Sequence, residues 1–145
     1  MRIYECSMFF NEDIVSNIKI SENSRWITET HITEANRTFK NNRKPYNFSR
    51  LTNSCVKYHR FNAEKFFRSG FWDYDIGPWW VNRRNCHWFN EAMVRNASVQ
   101  FVEVKDEDVI IISDIDEIID SRYSDEIIWA VQKHEITHLT HQRIA

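Results

Sequence analysis

The stretch DVIIISDIDEI, residues 108–118, carries an unbroken apolar run from Val109 to Ile112 straight into Asp114, Asp116 and Glu117. A continuous β-branched run of this kind predicts a strand buried on both faces, as in a parallel sheet covered by helices. In open α/β sheets, ligands gather beyond the carboxyl ends of the strands. Side chains two apart on an extended segment share a face, so Asp114 and Asp116 are expected to converge on one point there. Two carboxylates that close repel, and one takes up a proton unless a cation relieves the pair. A hard divalent ion, Mn²⁺ or Mg²⁺, held by one or two carboxylates and completed by substrate phosphates, is the usual resolution. Acids after a strand also serve simply to cap the next helix, and the spacing alone leaves that reading open.

Working outward, the chain alternates strand and helix signals. RIYECSMFF, residues 2–10, predicts a strand that ends at Asn11, an N-cap type, with Glu12 and Asp13 in the first turn of a helix whose weak apolar stripe is Ile14 and Ile18. RWITETHITEAN, residues 25–36, is threonine-rich and predicts a second strand. Residues 36–53 read as a long loop or poorly ordered excursion around Pro45, SCVKYHRFN as a short strand, and residues 69–82 as an aromatic-rich folded loop. A helix is expected from residue 79 or 86, with Pro78 suited to its first turn, to residue 100. YSDEIIWAVQKH predicts a helix capped by Ser124, and EITHLTHQRI a last, alternating strand. The order gives an α/β layered domain without internal repeats.

Composition bounds the function classes. The chain has 145 residues, 42% hydrophobic and 28% charged, the size and make-up of one packed domain. A net charge of −2 gives no general electrostatic reason to expect nucleic acid or an anionic membrane as partner. Locally, residues 37–68 are basic and residues 103–126 acidic, so one face is a candidate for anions such as phosphates, with a solvated basic loop as the plainer alternative. With 2 Gly and 2 Pro, turns must lean on Asn, Asp and Ser. Cys6, Cys55 and Cys86 are too few and too scattered for a disulfide framework or zinc site and read as free thiols. His134, His138 and His141 read as solvated or hydrogen-bonded rather than as a zinc site. No signal peptide is evident and no run approaches the ~20 apolar residues of a membrane span. A soluble, cytoplasmic chain is therefore expected.

Four blocks resemble glycosyltransferase family 17, the β-1,4-mannosyl-glycoprotein 4-β-N-acetylglucosaminyltransferase family. IISDIDEI looks like its DxD segment, RIYECSMFFNE its first strand (IYDCFMFFNE), HITEANRTF its second (FVIVESNRTF), and WFNEAMVRNASVQ its helix before the DxD (WxRExxQRN), with Val94 where Gln is usual. The resemblance implies a GT-A, Rossmann-like fold: a mixed, mostly parallel sheet flanked by helices. It implies transfer of N-acetylglucosamine or a related sugar from a UDP-sugar to a glycan or glycoprotein hydroxyl with inversion, as in N-glycan processing. On that basis Asp114 and Asp116 would hold the divalent cation, with Asp116 the more direct ligand. Asn11, Glu12, Glu34, Asn36, Arg37, Arg95 and Asn96 would hold the donor, Arg95 by its fixed fork of donors.

Each of these residues has a plainer reading. Glu12 suits a first-turn acid, Arg37 a loop charge, Arg95 a partner for Glu91 one turn earlier, and Asn36 and Asn96 backbone caps. Trp79, Trp80 and Trp88 suit core packing better than sugar stacking. For the general base, Glu117, Asp120 and Glu135 are at hand, with Glu117 as the candidate, and the sequence singles out none. Family members are usually about twice as long, so the acceptor part is expected to be short or absent, with a homodimer as one way to complete it. Two other functions stay in view: a nucleotide-sugar-binding module without transfer activity, and a haloacid-dehalogenase-type phosphatase. The phosphatase reading fits poorly, because Ile118 stands where its motif wants Thr or Val.

Overall fold

The computed structural model describes residues 1–48, 55–68 and 86–134. Four parallel strands, β1 (Ile3–Phe9), β2 (Glu29–Ala35), β3 (Val56–Phe61) and β4 (Val109–Asp114), form one sheet in the order β3-β2-β1-β4. Three helices, α1 (Asp13–Asn23), α2 (Cys86–Gln100) and α3 (Ser124–His134), flank it. This is a single small α/β domain, and among the described residues its strands all run parallel. The last expected strand, the aromatic loop 69–82, and Trp79, Trp80, Glu135, His138 and His141 lie outside the described residues.

Because β1 and β2 are central, both their faces are covered, and nearly every residue in them is buried. One face presents Glu5, Ser7, Thr30, Glu34 and Ser113, interleaved with Phe9 and Ile32; the other presents Tyr4, Cys6, Met8, His31 and Ala35. Val94 of α2 packs on the second face with Ala35, Ala63 and Phe67. Ile128 and Val131 of α3 close the first face near the strand starts, against Ile3, Ile27 and Val109. Cys6 is buried, and that burial, helped by the charge of Glu5, pushes its thiol up to about 12, so it is an inert core residue.

Two expectations invert. DVIIIS forms the predicted strand, yet β4 is the edge of the described sheet, and Ile112 is 51% exposed. An uninterrupted apolar run does not distinguish a central strand from an edge whose outer face is only partly covered. On α1 the supposed apolar stripe faces solvent, with Ile14 77% and Ile18 55% exposed, while Ser16, Lys19 and Asn23 are buried. The polar sheet face decides this. Glu5 needs partners, and Asn23 Nδ2 donates to both Glu5 Oε2 and Thr30 Oγ1. The helix also starts one residue later than expected, with Glu12 rather than Asn11 at its cap position. Ser124 is likewise the first residue of α3 and not its cap; a 3₁₀ turn over Ser121–Tyr123, capped by Asp120, precedes it.

Residues 36–44 are a tight turn rather than a loose excursion. Asn41 N–H donates to the Thr38 carbonyl at 2.7 Å and Thr38 N–H to the Asn42 carbonyl at 2.8 Å. Asn41 takes the left-handed backbone (φ 67), a conformation asparagine tolerates, in a chain with almost no glycine.

Candidate functional site

At the carboxyl ends of β1, β2 and β4 lies a cleft of about 210 Å³. Its floor and walls include Met8, Phe10, Ala35, Phe39 and Val94. Its charged rim is Glu12, Arg37, Lys44, Glu91, Asp114 and Asp116. The register explains the placement, because Met8 pairs with Asp114 and Phe9 with Glu34, which aligns the ends of the central strands.

Asp114 and Asp116 share this cleft, although not by the expected extended geometry. The chain turns at Ile115–Asp116, and Glu117 N–H donates to the Asp114 carbonyl at 3.0 Å. Ile115 drives the turn by burying its side chain against Phe9, Ile32 and Phe48, which throws Asp116 outward. Asp114 Oδ1 accepts from Arg95 Nη2 at 2.8 Å. Its carboxyl is nevertheless raised above the ordinary range: burial disfavours the charge, Arg95 opposes that, and Glu117 and Asp116 add repulsion. Asp116 is exposed and makes no hydrogen bond or ion pair among the described residues.

A cation fits this donor set. One carboxylate is free among the described residues, a second is destabilised by burial and by like charge, and the cleft has room for phosphate oxygens. Among the described residues no three His, Cys, Asp or Glu side chains gather into a cation site.

The other expected site residues divide. Glu12 lines the cleft while its Oε2 accepts Phe10 N–H at 2.8 Å and Asn11 N–H at 2.9 Å, fixing the turn out of β1. Arg37 lines it too, tied by Nη1 to the Asn41 carbonyl and by Nη2 to Glu64, with a buried Nε that has no partner among the described residues. Arg95 makes the plainer pair expected of it, Nη2 to Glu91 Oε1 at 3.0 Å, and the same nitrogen holds Asp114; Arg95 is not among the residues lining the cleft. Asn11 is exposed at the margin, where Asn47 Nδ2 reaches it at 3.4 Å. Asn36 ties the end of β2 to Asn62 and Ala63, and Asn96 is exposed on α2; neither lines the cleft.

Glu34 is fully buried, and its carboxylate accepts from Lys44 Nζ, the Asn47 and Phe48 N–H groups and Tyr58 Oη. It thereby anchors residues 44–48 and holds Lys44 on the cleft wall, 5.2 Å from the Phe10 ring centroid. Glu117 Oε2 accepts Asp114 N–H at 3.0 Å, so it clamps the turn. Sequence reasoning did not single out Lys44, Phe10 or Phe39 as lining residues. Lys44 was visible only as one of many charges in the basic segment.

A parallel α/β sheet with a cleft at the carboxyl ends of its strands, where two aspartates meet Arg37 and Lys44 and where Arg95 pairs with Asp114, is consistent with a GT-A-like fold. The sequence profile of glycosyltransferase family 17 matches residues 1–143, and the chain belongs to that family. No curated protein and no solved structure matches it. Among the described residues no helix is long and apolar enough to cross a membrane.

Proposed function

We propose that the cleft binds a UDP-sugar through a divalent cation, Mn²⁺ or Mg²⁺, and that the chain transfers the sugar, N-acetylglucosamine by the family resemblance, to a glycan hydroxyl with inversion. The observation that carries this reading is the shared cleft of Asp114 and Asp116, with Asp116 free of partners among the described residues. The cation, when bound, neutralises charge on the leaving diphosphate. Around it the chain's own groups divide the work. Arg95 steadies Asp114, Arg37 and Lys44 bring positive charge to the opposite wall for phosphate oxygens, and Phe10 and Phe39, with ring centroids 6.3 Å apart, close off water beside the nucleotide.

Calorimetry of UDP-N-acetylglucosamine with Mn²⁺ tests the proposal. The wild type is expected to release heat and Asp116→Ala to give none; equal heats from the two proteins overturn the cation reading. A second reading, a binding module without turnover, draws on the state of the cleft carboxylates. Glu117 is engaged by Asp114 N–H, Glu91 by Arg95 and Glu12 by two backbone amides, so none stands free as a base. UDP released in the presence of glycan acceptors, above the rate without them, favours transfer. Binding with no release under any acceptor favours the module.

A further inference from the structure

Lys19 stands on the inner face of α1 with its side chain 0% exposed, and its counter-ion Glu5 on β1 is 1% exposed. Its Nζ lies 2.8 Å from Glu5 Oε1, 2.8 Å from Ser113 Oγ, 2.9 Å from the Asp114 carbonyl and 2.5 Å from the Glu117 carbonyl. Four acceptors surround three N–H groups. Ser113 Oγ donates in turn to Glu5 Oε1 at 2.8 Å, which ties α1, β1 and β4 into one buried polar knot.

A pair that served only to seat α1 on the sheet would end at Glu5. Two of the Lys19 contacts instead pass beyond β4 to the first and last residues of the turn that carries Asp114 and Asp116. The outer side of that turn is clamped by Glu117, through Asp114 N–H and the Asp114 carbonyl. Its inner side is clamped by Lys19 alone among charged side chains of the described residues. Without the ammonium, the Glu117 carbonyl loses its donor and the Asp114 carbonyl keeps only the Glu117 N–H, so the inner side of the turn is no longer held to the core. Ligand side chains bind an ion well when their geometry is fixed beforehand, because ordering them on binding costs affinity.

We infer that Lys19 is a positioning residue, which fixes the Asp114–Glu117 turn from within the core so that the two aspartates meet a divalent cation preorganised. This rests on the cation-binding reading of the turn, so the test must separate the two. Electron paramagnetic resonance of free Mn²⁺ in the presence of UDP gives the dissociation constant for the wild type, Asp116→Asn, Lys19→Met and the double variant Glu5→Gln/Lys19→Met. The double variant removes both buried charges together, so neither is left uncompensated. The wild type is expected to take up Mn²⁺ and Asp116→Asn to lose it. Both Lys19 variants should bind about 10- to 100-fold more weakly, the usual effect of deleting a group that orients metal ligands, while the near-ultraviolet circular dichroism of the double variant stays that of the wild type.

No uptake by the wild type, or uptake that Asp116→Asn does not reduce, overturns the cation reading and this inference with it. A loss in Asp116→Asn combined with a wild-type constant in either Lys19 variant overturns the inference alone. So does a double variant that does not fold, because the pair then serves the core and not the turn.

Discussion

Glu34 is the residue whose chemistry the fold changes most. At the end of a strand near a basic segment, a glutamate reads as a ligand for substrate; here it holds the cleft wall. Burial pushes its carboxyl up, but Lys44, the Asn47 and Phe48 amides and Tyr58 outweigh that and hold it below its ordinary value of 4.5. Glu34→Gln keeps the volume and removes the charge, so its hydrogen bonds become neutral ones. The expected cost is about 2 kcal/mol at pH 7, in the range for bonds to a charged group. Glu34→Ala is expected to cost about 3–5 kcal/mol, because it leaves the Lys44 ammonium, itself mostly buried, without its partner. Urea denaturation of the two variants checks both values, and a neutral Glu34→Ala would mean that residues 44–48 do not depend on this carboxylate.

At the scale of elements, α1 shows what a one-dimensional pattern omits. Strand and helix types were legible throughout the described residues because β-branched runs, N-terminal acids and turn residues act locally. Which face of α1 turns inward is set by the sheet, and this sheet presents Glu5, Ser7, Thr30 and Ser113 to it. A signal was present: Ser16, Lys19 and Asn23 recur at helical spacing, and Glu5 lies in the middle of a strand that must be buried, where it needs a cation. The edge position of β4 was not legible, since strand order is fixed by contacts distant in sequence. Ile14→Ala and Ile18→Ala are each expected to change stability by less than about 0.5 kcal/mol, as surface substitutions do. Asn23→Ala is expected to cost about 1–3 kcal/mol by leaving a lobe of the buried Glu5 carboxylate and Thr30 without their donor. Thermal melts of the three variants decide it: larger losses from the isoleucines would restore the apolar stripe as the packed face.

Across the whole molecule, the two ends of the sheet respond to acid through different groups. The carboxyl end carries Glu34. Toward the other end, His31 stacks on His59 with centroids 5.0 Å apart, and His59 on Phe101 at 4.3 Å, which joins β2, β3 and the exit from α2. His31 Nε2 faces the Glu29 carboxylate at 3.2 Å and therefore donates to it, which leaves Nδ1 to accept from His59 Nε2–H at 2.9 Å. Burial, with the charges of His31 and Lys57, pulls His59 down from 6.5 to about 4. A histidine lowered in this way binds fewer protons folded than unfolded, so stability falls as pH falls. Its contribution is whole above pH 6.5 and is lost progressively toward pH 4. The Glu34 contribution has the same sign in a lower window, present above 4.5 and lost as pH drops through its depressed folded value. Asp120, held near 2 by Arg122, and Asp108, lowered by backbone amides, act in that lower window too, so only differences between variants and wild type isolate Glu34. His59→Phe keeps a ring between His31 and Phe101 and removes the titrating nitrogen. Melting midpoints measured from pH 7.5 to 3 are expected to fall less steeply for His59→Phe than for wild type between pH 6.5 and 4. For Glu34→Gln they are expected to match the wild-type slope there and to converge on wild type below 4.5. Parallel slopes for His59→Phe and wild type across the upper window would show that His59 carries none of the acid sensitivity.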